Sequence, residues 1–147
     1  MRIVAQIVKN AKLEINNEVY TSVDYGLLLL VSFTLSDDKE VVKKMAEKIA
    51  LMRIFPDENG KTNLNINQVN GEVLSVSQFT LYGEFNSRRP SFTKVLGGKE
   101  SSELYDYFNA ELDNYVKVST GVFGADMNIT FTNVGPVTYL LDSDEKR

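Results

Sequence analysis

The order of the apolar segments constrains the fold of this chain most, because several strand-like segments come before the first helix-like one. Residues 2–8 and 26–33 are apolar enough to form buried strands. Between them, residues 13–15 and 19–23 flank the turn-forming pair Asn16-Asn17, a pattern typical of a β-hairpin. A doubly wound parallel fold would instead place a helix between successive strands. The order therefore favours the α+β class.

Two helices are predicted where apolar side chains recur at helical spacing. The first covers residues 38–52, where Asp37 and Glu40 have the spacing of a capping box. The second covers residues 99–114 and follows Gly97-Gly98. The side chains expected to face the core are Val41, Val42, Met45, Ala46, Ile49 and Met52 in the first helix, and Leu104, Tyr105, Phe108 and Leu112 in the second.

Four further strands are predicted over residues 73–81, 116–118, 127–132 and 137–141. At 147 residues the chain has the length of one ordinary domain, so we expect a single domain over residues 1–147. Strands that outnumber the two helices predict an α+β fold, in which both helices pack on a curled, barrel-like β-sheet of six to eight strands.

Two missing residue types narrow the chemistry that the chain can perform. It has no cysteine and no histidine, which excludes disulfides, thiol nucleophiles, Cys-based metal sites and Ser-His-Asp triads. We therefore expect no metal and no cofactor. The first residues are too polar for a signal peptide, and the longest aliphatic run, residues 27–31, is too short to span a membrane. We expect a cytoplasmic protein.

The first segment that could carry chemistry is Ser77-Gln78-Phe79-Thr80-Leu81. Side chains alternate between the faces of a regular strand, so Ser77 and Thr80 share a pocket only where the strand bends or ends. On the local pattern alone, a serine and a β-branched threonine at a strand end are ordinary structural residues. Both interpretations stay open at this point.

The second segment is Asn133-Val134-Gly135-Pro136-Val137-Thr138, between two predicted strands. Gly-Pro in such a place is usually a hairpin turn. The alternative is a cis peptide bond that holds two carbonyl groups in an unusual direction, although only about 5–6% of X–Pro bonds are cis. A third segment, Gly121-Val122-Phe123-Gly124, lacks the spacing of a dinucleotide-binding loop, and we reject that function.

Basic residues cluster locally in a chain whose net charge is −4. The first group, close to residues 77–81, comprises Arg88, Arg89 and Lys94. A second group, on the first predicted helix, comprises Lys43, Lys44 and Lys48. Either group could contact phosphates, and either could be an ordinary solvated surface. Binding to RNA would require a local positive patch rather than the charge of the whole chain.

Together these segments resemble the motif pair of the D-aminoacyl-tRNA deacylases, once called D-tyrosyl-tRNA deacylases. The pair comprises residues 77–81 and 133–138. Residues 53–55, 57–61, 88–92 and 121–127 are also similar to that family, and the similarity extends from residue 1 to about residue 143. Two motifs in the family's order, in a chain of the family's length, make the resemblance specific.

The resemblance implies a homodimeric hydrolase that cleaves the ester between tRNA and a D-amino acid or glycine, with D-aminoacyl-tRNA and glycyl-tRNA as substrates. Gly135 and Pro136 would be joined by a cis bond and reach into the partner subunit's pocket. There, their carbonyl groups would accept the substrate's α-ammonium and leave no room for an L side chain. Residues 77–80 would form the opposite wall, and Phe123 and Met127 would line the pocket.

Two mechanisms are open for such a pocket. Backbone N–H groups near Phe79 and Thr80 could stabilise the oxyanion while water attacks and the RNA 2′-hydroxyl helps to move the proton. Thr80 could instead be a nucleophile, although no residue of the sequence is an obvious base for it. The arginines and lysine of the first basic group would contact the tRNA.

One position departs from the family, whose first strand usually reads Gln-Arg-Val with an arginine that helps to orient Gly-Pro. This chain has Gln6-Ile7-Val8. The alternative function is a non-catalytic nucleic-acid-binding module, as in a eukaryotic protein named for binding DNA-unwinding elements. That protein carries a C-terminal extension, so a chain that stops at Arg147 argues against it. A metabolite-binding protein is a further alternative, and neither binder should hydrolyse charged tRNA.

Overall fold

Two long strands joined at Asn16-Asn17 organise the fold. In the computed structural model, which describes residues 1–145, β1 (Arg2–Ile15) and β2 (Glu18–Ser32) pair antiparallel along most of their length. Both turn asparagines have positive φ, 53° and 66°, as a tight hairpin turn requires and asparagine tolerates. The predicted hairpin is confirmed, and the strands predicted before and after it are parts of β1 and β2.

Five strands form the main sheet, and two short strands form a hairpin beside it. After β2 the chain forms α1 (Lys39–Leu51), β3 (Phe55–Pro56), β4 (Thr62–Leu64), β5 (Glu72–Ser77), α2 (Gly98–Asp113), β6 (Val118–Thr120) and β7 (Asn128–Asp142). The main sheet has the order β6-β5-β2-β1-β7, and β3 pairs with β4 in a separate two-stranded sheet. β5 runs parallel to β2 and to β6, whereas β1 runs antiparallel to β2 and to β7.

The α+β class with two helices is confirmed, but the expected curled, barrel-like sheet of six to eight strands is not found. Only five of the seven strands join the main sheet, and its outer strands, β6 and β7, do not pair with each other within residues 1–145. β3 is two residues long and includes Pro56, which has no N–H to donate to a further strand. The β3–β4 hairpin therefore stays apart from the sheet.

The aliphatic run in β2 is buried on both faces of the sheet, which explains why it is continuous rather than alternating. Leu27, Leu29 and Val31 belong to the main core, which also includes the inner faces of both helices. Leu28 points to the other face, where it joins a smaller apolar cluster with Leu74 and Val76. β2 is thus a central strand that fixes the positions of its neighbours β1 and β5.

The helix faces are largely as predicted. Leu104, Tyr105, Phe108 and Leu112 of α2 are buried. In α1 the buried side chains are Val42, Met45, Ala46, Ile49 and Ala50, while Val41 and Met52 are only partly buried against the core.

The start of α1 differs from the predicted capping box. Asp38 is the N-cap residue, and its Oδ1 accepts a hydrogen bond from Val41 N–H at 3.0 Å. Asp37 instead accepts from Thr34 N–H at 2.8 Å and pairs with the amino group of Met1. The cap therefore lies one residue later than predicted, because Asp37 is held by the strand end before the helix.

Four predicted strands have different bounds in the structure. The strand predicted over residues 73–81 ends at Ser77, and a 3₁₀ turn (Phe79–Tyr82) follows it. The strands predicted over 127–132 and 137–141 form one strand, β7, which keeps its pairing with β1 on both sides of residues 134–137. The short strand predicted over 116–118 lies two residues later, as β6.

Neither helix within residues 1–145 is long and apolar enough to cross a membrane.

Candidate active site

A cavity of about 500 Å³ lies where the carboxyl end of β5 approaches the start of α2. Three parts of the chain line it: the ends of β2 and β5, the segment that leads into α2, and residues 123–127 before β7. The residues that line the cavity include Ser32, Ser77, Gln78, Phe79, Ser101, Phe123 and Met127. The volume is in the range of small-molecule sites, which makes this cavity the default candidate for binding.

The end of β5 brings the first motif into this cavity. Gln78 N–H donates to Val31 O at 2.8 Å and so extends the pairing with β2 by one residue. The chain then turns at once, so Ser77, Gln78 and Phe79 all reach the cavity, whereas Thr80 is exposed and does not line it. The strand ends at Ser77, which is the condition under which Ser77 and Thr80 could share a pocket, but only Ser77 of the two lines this cavity.

The turn leaves two main-chain donors free. Phe79 and Thr80 are the first residues of a 3₁₀ turn, so their N–H groups have no partner within the turn. Within residues 1–145 neither N–H donates a hydrogen bond, whereas Leu81 N–H donates to Gln78 O. Phe79 lines the cavity and Thr80 is the next residue along the chain, and adjacent unpaired N–H groups can stabilise a developing negative charge on oxygen.

Aromatic contacts fix the walls of the cavity. Phe79 is 52% exposed and meets Phe92 edge to face, with 5.0 Å between the ring centroids. Phe123 lies 6.1 Å from the ring of Tyr105, whose hydroxyl donates to Ser75 O at 2.8 Å. A tyrosine hydroxyl is already protonated at neutral pH, and burial raises the pKa of Tyr105 further above its ordinary value.

A close packing contact holds the opposite wall. A Cβ on Gly121 would meet Met127 Sδ at 2.6 Å, so a side chain at position 121 would displace Met127 from the lining. The resemblance pointed to residues 121–127 as one unit, and the structure shows the packing reason for the glycine.

The Gly135-Pro136 segment lies away from this cavity. The peptide bond between these residues is cis, as the resemblance implied, and both residues are exposed. As far as residues 1–145 define the cavity, none of its lining belongs to β7. The structure therefore brings Ser77, Gln78, Phe79, Phe123 and Met127 together but leaves Gly135 and Pro136 outside their own chain's cavity.

The two arginines of the first basic group lie in a loop between the cavity residue Phe79 and Lys94. Glu84 and Ser91 exchange two backbone hydrogen bonds, of 2.9 and 2.7 Å, and close a loop that carries Arg88 and Arg89. Both arginine side chains are exposed and have no ion pair within the described part of the chain, whereas Lys94 pairs with Glu84 at 3.2 Å. Phe85 in this loop is 72% exposed. The loop thus offers unpaired cations and an aromatic ring, a combination suited to RNA.

Ser32 and Ser101 are lining residues that sequence reasoning missed. Ser32 is buried, with its Oγ 3.4 Å from Phe79 O, and Ser101 Oγ donates to Leu96 O at 2.9 Å. Ser32 stands in an otherwise apolar stretch, whereas Ser101 lies among polar residues at the start of α2, where local pattern does not distinguish it from an exposed serine. Within residues 1–145, no group of three or more acidic side chains is placed to hold a metal ion.

The model of the D-Tyr-tRNA(Tyr) deacylase family matches residues 4–142. The chain belongs to this family. It is 51% identical over 144 residues to a D-aminoacyl-tRNA deacylase of Lactobacillus gasseri, a match that covers 97% of this chain and 99% of that protein. A D-aminoacyl-tRNA deacylase of Thermosipho africanus is 48% identical and is matched over 97% of both chains.

Among solved structures, a c-Myc DNA Unwinding Element Binding Protein superposes on the deacylase chain with a TM-score of 0.93 at 30% identity. The superposition covers 99% of this chain and 100% of that one. This chain and the c-Myc DNA Unwinding Element Binding Protein therefore have the same fold. The fold alone does not distinguish an esterase from a nucleic-acid-binding module. The distinction between these two functions therefore rests on the residues that line the cavity.

Proposed function

We propose that this protein hydrolyses the ester bond of D-aminoacyl-tRNA, releasing the free D-amino acid and tRNA, and that it acts on glycyl-tRNA as well. Family membership over residues 4–142 and relatives about half identical over their full length support the activity. The structural observation that carries the proposal is the cavity beside two unpaired main-chain N–H groups, those of Phe79 and Thr80. The reaction belongs in the cytoplasm, where aminoacyl-tRNA is used.

In the proposed reaction, the ester carbonyl oxygen lies against the N–H groups of Phe79 and Thr80. Water adds to the carbonyl carbon, and each donor stabilises the resulting oxyanion by about 2.7–4 kcal/mol. The bond to the 3′-oxygen of the tRNA then breaks, and that oxygen leaves with a proton that the neighbouring 2′-hydroxyl helps to transfer. No histidine or cysteine is needed, which fits a chain that has neither.

Substrate binding in this proposal involves Ser77, Gln78, Phe123 and Met127, which line the same cavity as Phe79. Arg88, Arg89 and Lys94 contact the tRNA, since the loop closed by Glu84 and Ser91 follows Phe79 closely and carries both arginines, and the exposed Lys94 comes just after it. The whole of residues 1–147 acts as one domain.

We further propose a homodimer in which Gly135 and Pro136 of one subunit close the cavity of the other. Their exposure, and their absence from their own chain's cavity, support this arrangement. Their carbonyl groups accept the substrate's α-ammonium, and the main chain excludes an L side chain by direct clash. A poorer fit in the pocket alone would give only about 1–3 kcal/mol of discrimination. Glycine has no side chain to exclude and therefore enters.

A second candidate function is supported by one observation. The 30% identical solved structure is named for binding a DNA unwinding element, so a nucleic-acid-binding module has the same fold. Turnover of charged tRNA separates the two functions, because a binding module does not hydrolyse it.

The test compares deacylation of D-tyrosyl-tRNA and L-tyrosyl-tRNA at equal protein concentration. We expect the wild type to favour the D substrate by more than the roughly 10–200-fold that a poorer fit explains. Hydrolysis of neither substrate would favour the binding module. Hydrolysis of both at similar rates would contradict the proposed chiral wall.

Two variants at one position isolate the main-chain donor. Proline is tolerated at the first residue of a helical turn and removes its N–H, so Phe79→Pro deletes one donor while Phe79→Ala deletes only the ring. We expect Phe79→Pro to lower kcat about 100-fold relative to Phe79→Ala. Equal kcat values for Phe79→Pro and Phe79→Ala would show that the Phe79 N–H does not stabilise the oxyanion.

Thr80→Ala separates the two open mechanisms. Water attack predicts that this variant keeps substantial activity, because only the N–H of residue 80 is used. A Thr80 nucleophile predicts nearly complete loss, with activity kept in Thr80→Ser.

A further inference from the structure

The pairing of β7 with β1 is interrupted at Gly135-Pro136. Val8 of β1 pairs with Asn133, and Gln6 pairs with Thr138, so two steps along β1 correspond to five steps along β7. Three extra residues therefore leave the ladder, and regular cross-strand hydrogen bonds cannot hold them. β7 is also an edge strand, so only β1 can support the segment from within the main sheet.

The side chain of Asn133 takes the place of those missing ladder bonds. Its Nδ2 donates to Ile7 O at 3.0 Å and to Val137 O at 3.1 Å. It thereby ties β1 to the far end of the interrupted segment. A carboxamide has two N–H donors, and here both are used on main-chain carbonyl groups.

Two further side chains support the oxygen of the same carboxamide. Gln6 Nε2 lies 3.3 Å from Asn133 Oδ1 and 3.3 Å from Thr138 Oγ1. Thr138 Oγ1 lies 3.4 Å from Asn133 Oδ1 and 3.5 Å from Pro136 O. Hydrogen bonds from Gln6 fix which end of the Asn133 amide faces the segment, because the oxygen must point towards the donor.

The family's arginine does not perform this task here. Position 7 is isoleucine, whose side chain is 2% exposed and packs in the main core. Only the Ile7 carbonyl group reaches the interrupted segment, through Asn133. The flanking side chains Val134 and Val137 pack against the core, while Gly135 and Pro136 are exposed.

We propose that Asn133, oriented by Gln6, is the positioning residue that fixes the direction of the Gly135 and Pro136 carbonyl groups and so sets selection between D and L substrates. The link to selectivity rests on the proposed deacylase function. The link to the segment's geometry rests only on the hydrogen bonds described above.

The test uses Asn133→Asp, which keeps the size and the oxygen of the side chain but removes both N–H donors. Asn128→Asp is the matched control, since it makes the same change on the same strand outside the interrupted segment. We expect the ratio of kcat/KM for D- to L-tyrosyl-tRNA to fall about tenfold or more in Asn133→Asp, as two hydrogen-bonded carbonyl groups lose their donor. Gln6→Ala should lower the ratio less, and Asn128→Asp should leave it unchanged.

Amide hydrogen exchange over residues 134–137 supplies a readout that needs no activity. We expect faster exchange there in Asn133→Asp than in wild type and in Asn128→Asp, with melting temperatures within a few degrees of one another. Unchanged exchange would overturn the positioning role. Faster amide exchange with an unchanged D-to-L ratio would overturn the link between Asn133 and selectivity. A wild-type protein that hydrolyses neither substrate would refute the proposed function. In that case the amide exchange rates alone would decide whether Asn133 is a positioning residue.

Discussion

At the scale of single residues, the proposed mechanism uses main-chain groups more than side chains. Gly135 has a φ of +117°, and a Cβ there would lie 2.6 Å from both the N and the Cγ2 of Val137. Only glycine can therefore occupy this position without moving Val137. At the cavity, the groups proposed to act on the substrate are the free N–H groups of Phe79 and Thr80, which are again main-chain groups.

Gly135→Ala should lower kcat/KM for D-tyrosyl-tRNA by about tenfold or more, because the added methyl group displaces the carbonyl groups of the proposed wall. Gly60→Ala is the control. Gly60 also has positive φ, at 75°, but a Cβ there meets nothing within 4 Å, and it lies in the remote β3–β4 hairpin. Both variants should lose some stability in denaturant unfolding, and only Gly135→Ala should lose activity. Equal activity of the two variants would contradict the wall.

At the scale of secondary structure, the elements with a clear period are predictable from sequence, and their ends are less so. Both helices show apolar side chains at helical spacing, and the buried faces agree with that pattern. β5 was predicted four residues too long because Gln78 to Leu81 continue an apolar alternation. The chain instead leaves the sheet after pairing Gln78 N–H with Val31 O. That turn depends on a neighbouring strand, which local pattern does not reveal.

Local sequence pattern also fails to predict the continuity of β7 and the set of residues that line the cavity. Gly-Pro indicates a turn, but Asn133 and the pairing with β1 keep the strand continuous around it. Resemblance to the family, rather than periodicity, predicted that Ser77, Gln78 and Phe79 lie with Phe123 and Met127. Ser32 and Ser101 were missed because they come from distant parts of the chain.

The loop closed by Glu84 and Ser91 should carry much of the electrostatic attraction to tRNA. Replacing Arg88 or Arg89 by glutamine should weaken tRNA binding and reduce the slope of log K against log salt by about 1 for each phosphate that is no longer neutralised. Lys43→Gln on α1 provides a charge-matched control. Binding measured at several salt concentrations checks this expectation. If the slope of log K against log salt fell in Lys43→Gln but not in the arginine variants, the RNA-binding surface would lie on α1 instead of on this loop.

At the scale of the whole molecule, one chain holds two halves of the proposed site that do not meet. The cavity lies at the carboxyl end of β5, and the Gly135-Pro136 segment projects from β7 on the outer edge of the sheet. In a symmetric dimer, each subunit would both donate and receive such a segment. Each complete site would then contain residues of two chains.

Mixing two impaired variants tests this arrangement. Phe79→Pro damages the cavity and Gly135→Ala damages the segment, so a hybrid dimer contains one site with both defects and one with neither. With equal amounts and random exchange, half of the dimers are hybrids, and about a quarter of wild-type activity should return. Sites built within single chains would give no recovery, as would a monomeric protein.

The free N–H groups of Phe79 and Thr80 also determine what a pH–rate profile can report. Main-chain N–H groups do not titrate near neutrality, and the chain has no histidine, the one side chain whose ordinary pKa lies between pH 5 and 8. The chain's own α-amino group, on Met1, is held by Asp37 and does not line the cavity. We therefore expect an inflection in kcat/KM near neutral pH to come from the RNA ester, whose α-amino group resembles peptide amines with pKa values of about 7.7–8.0. Above that range the substrate loses the positive charge that the Gly135 and Pro136 carbonyl groups are proposed to accept. The alkaline limb of the profile then titrates the substrate rather than the enzyme.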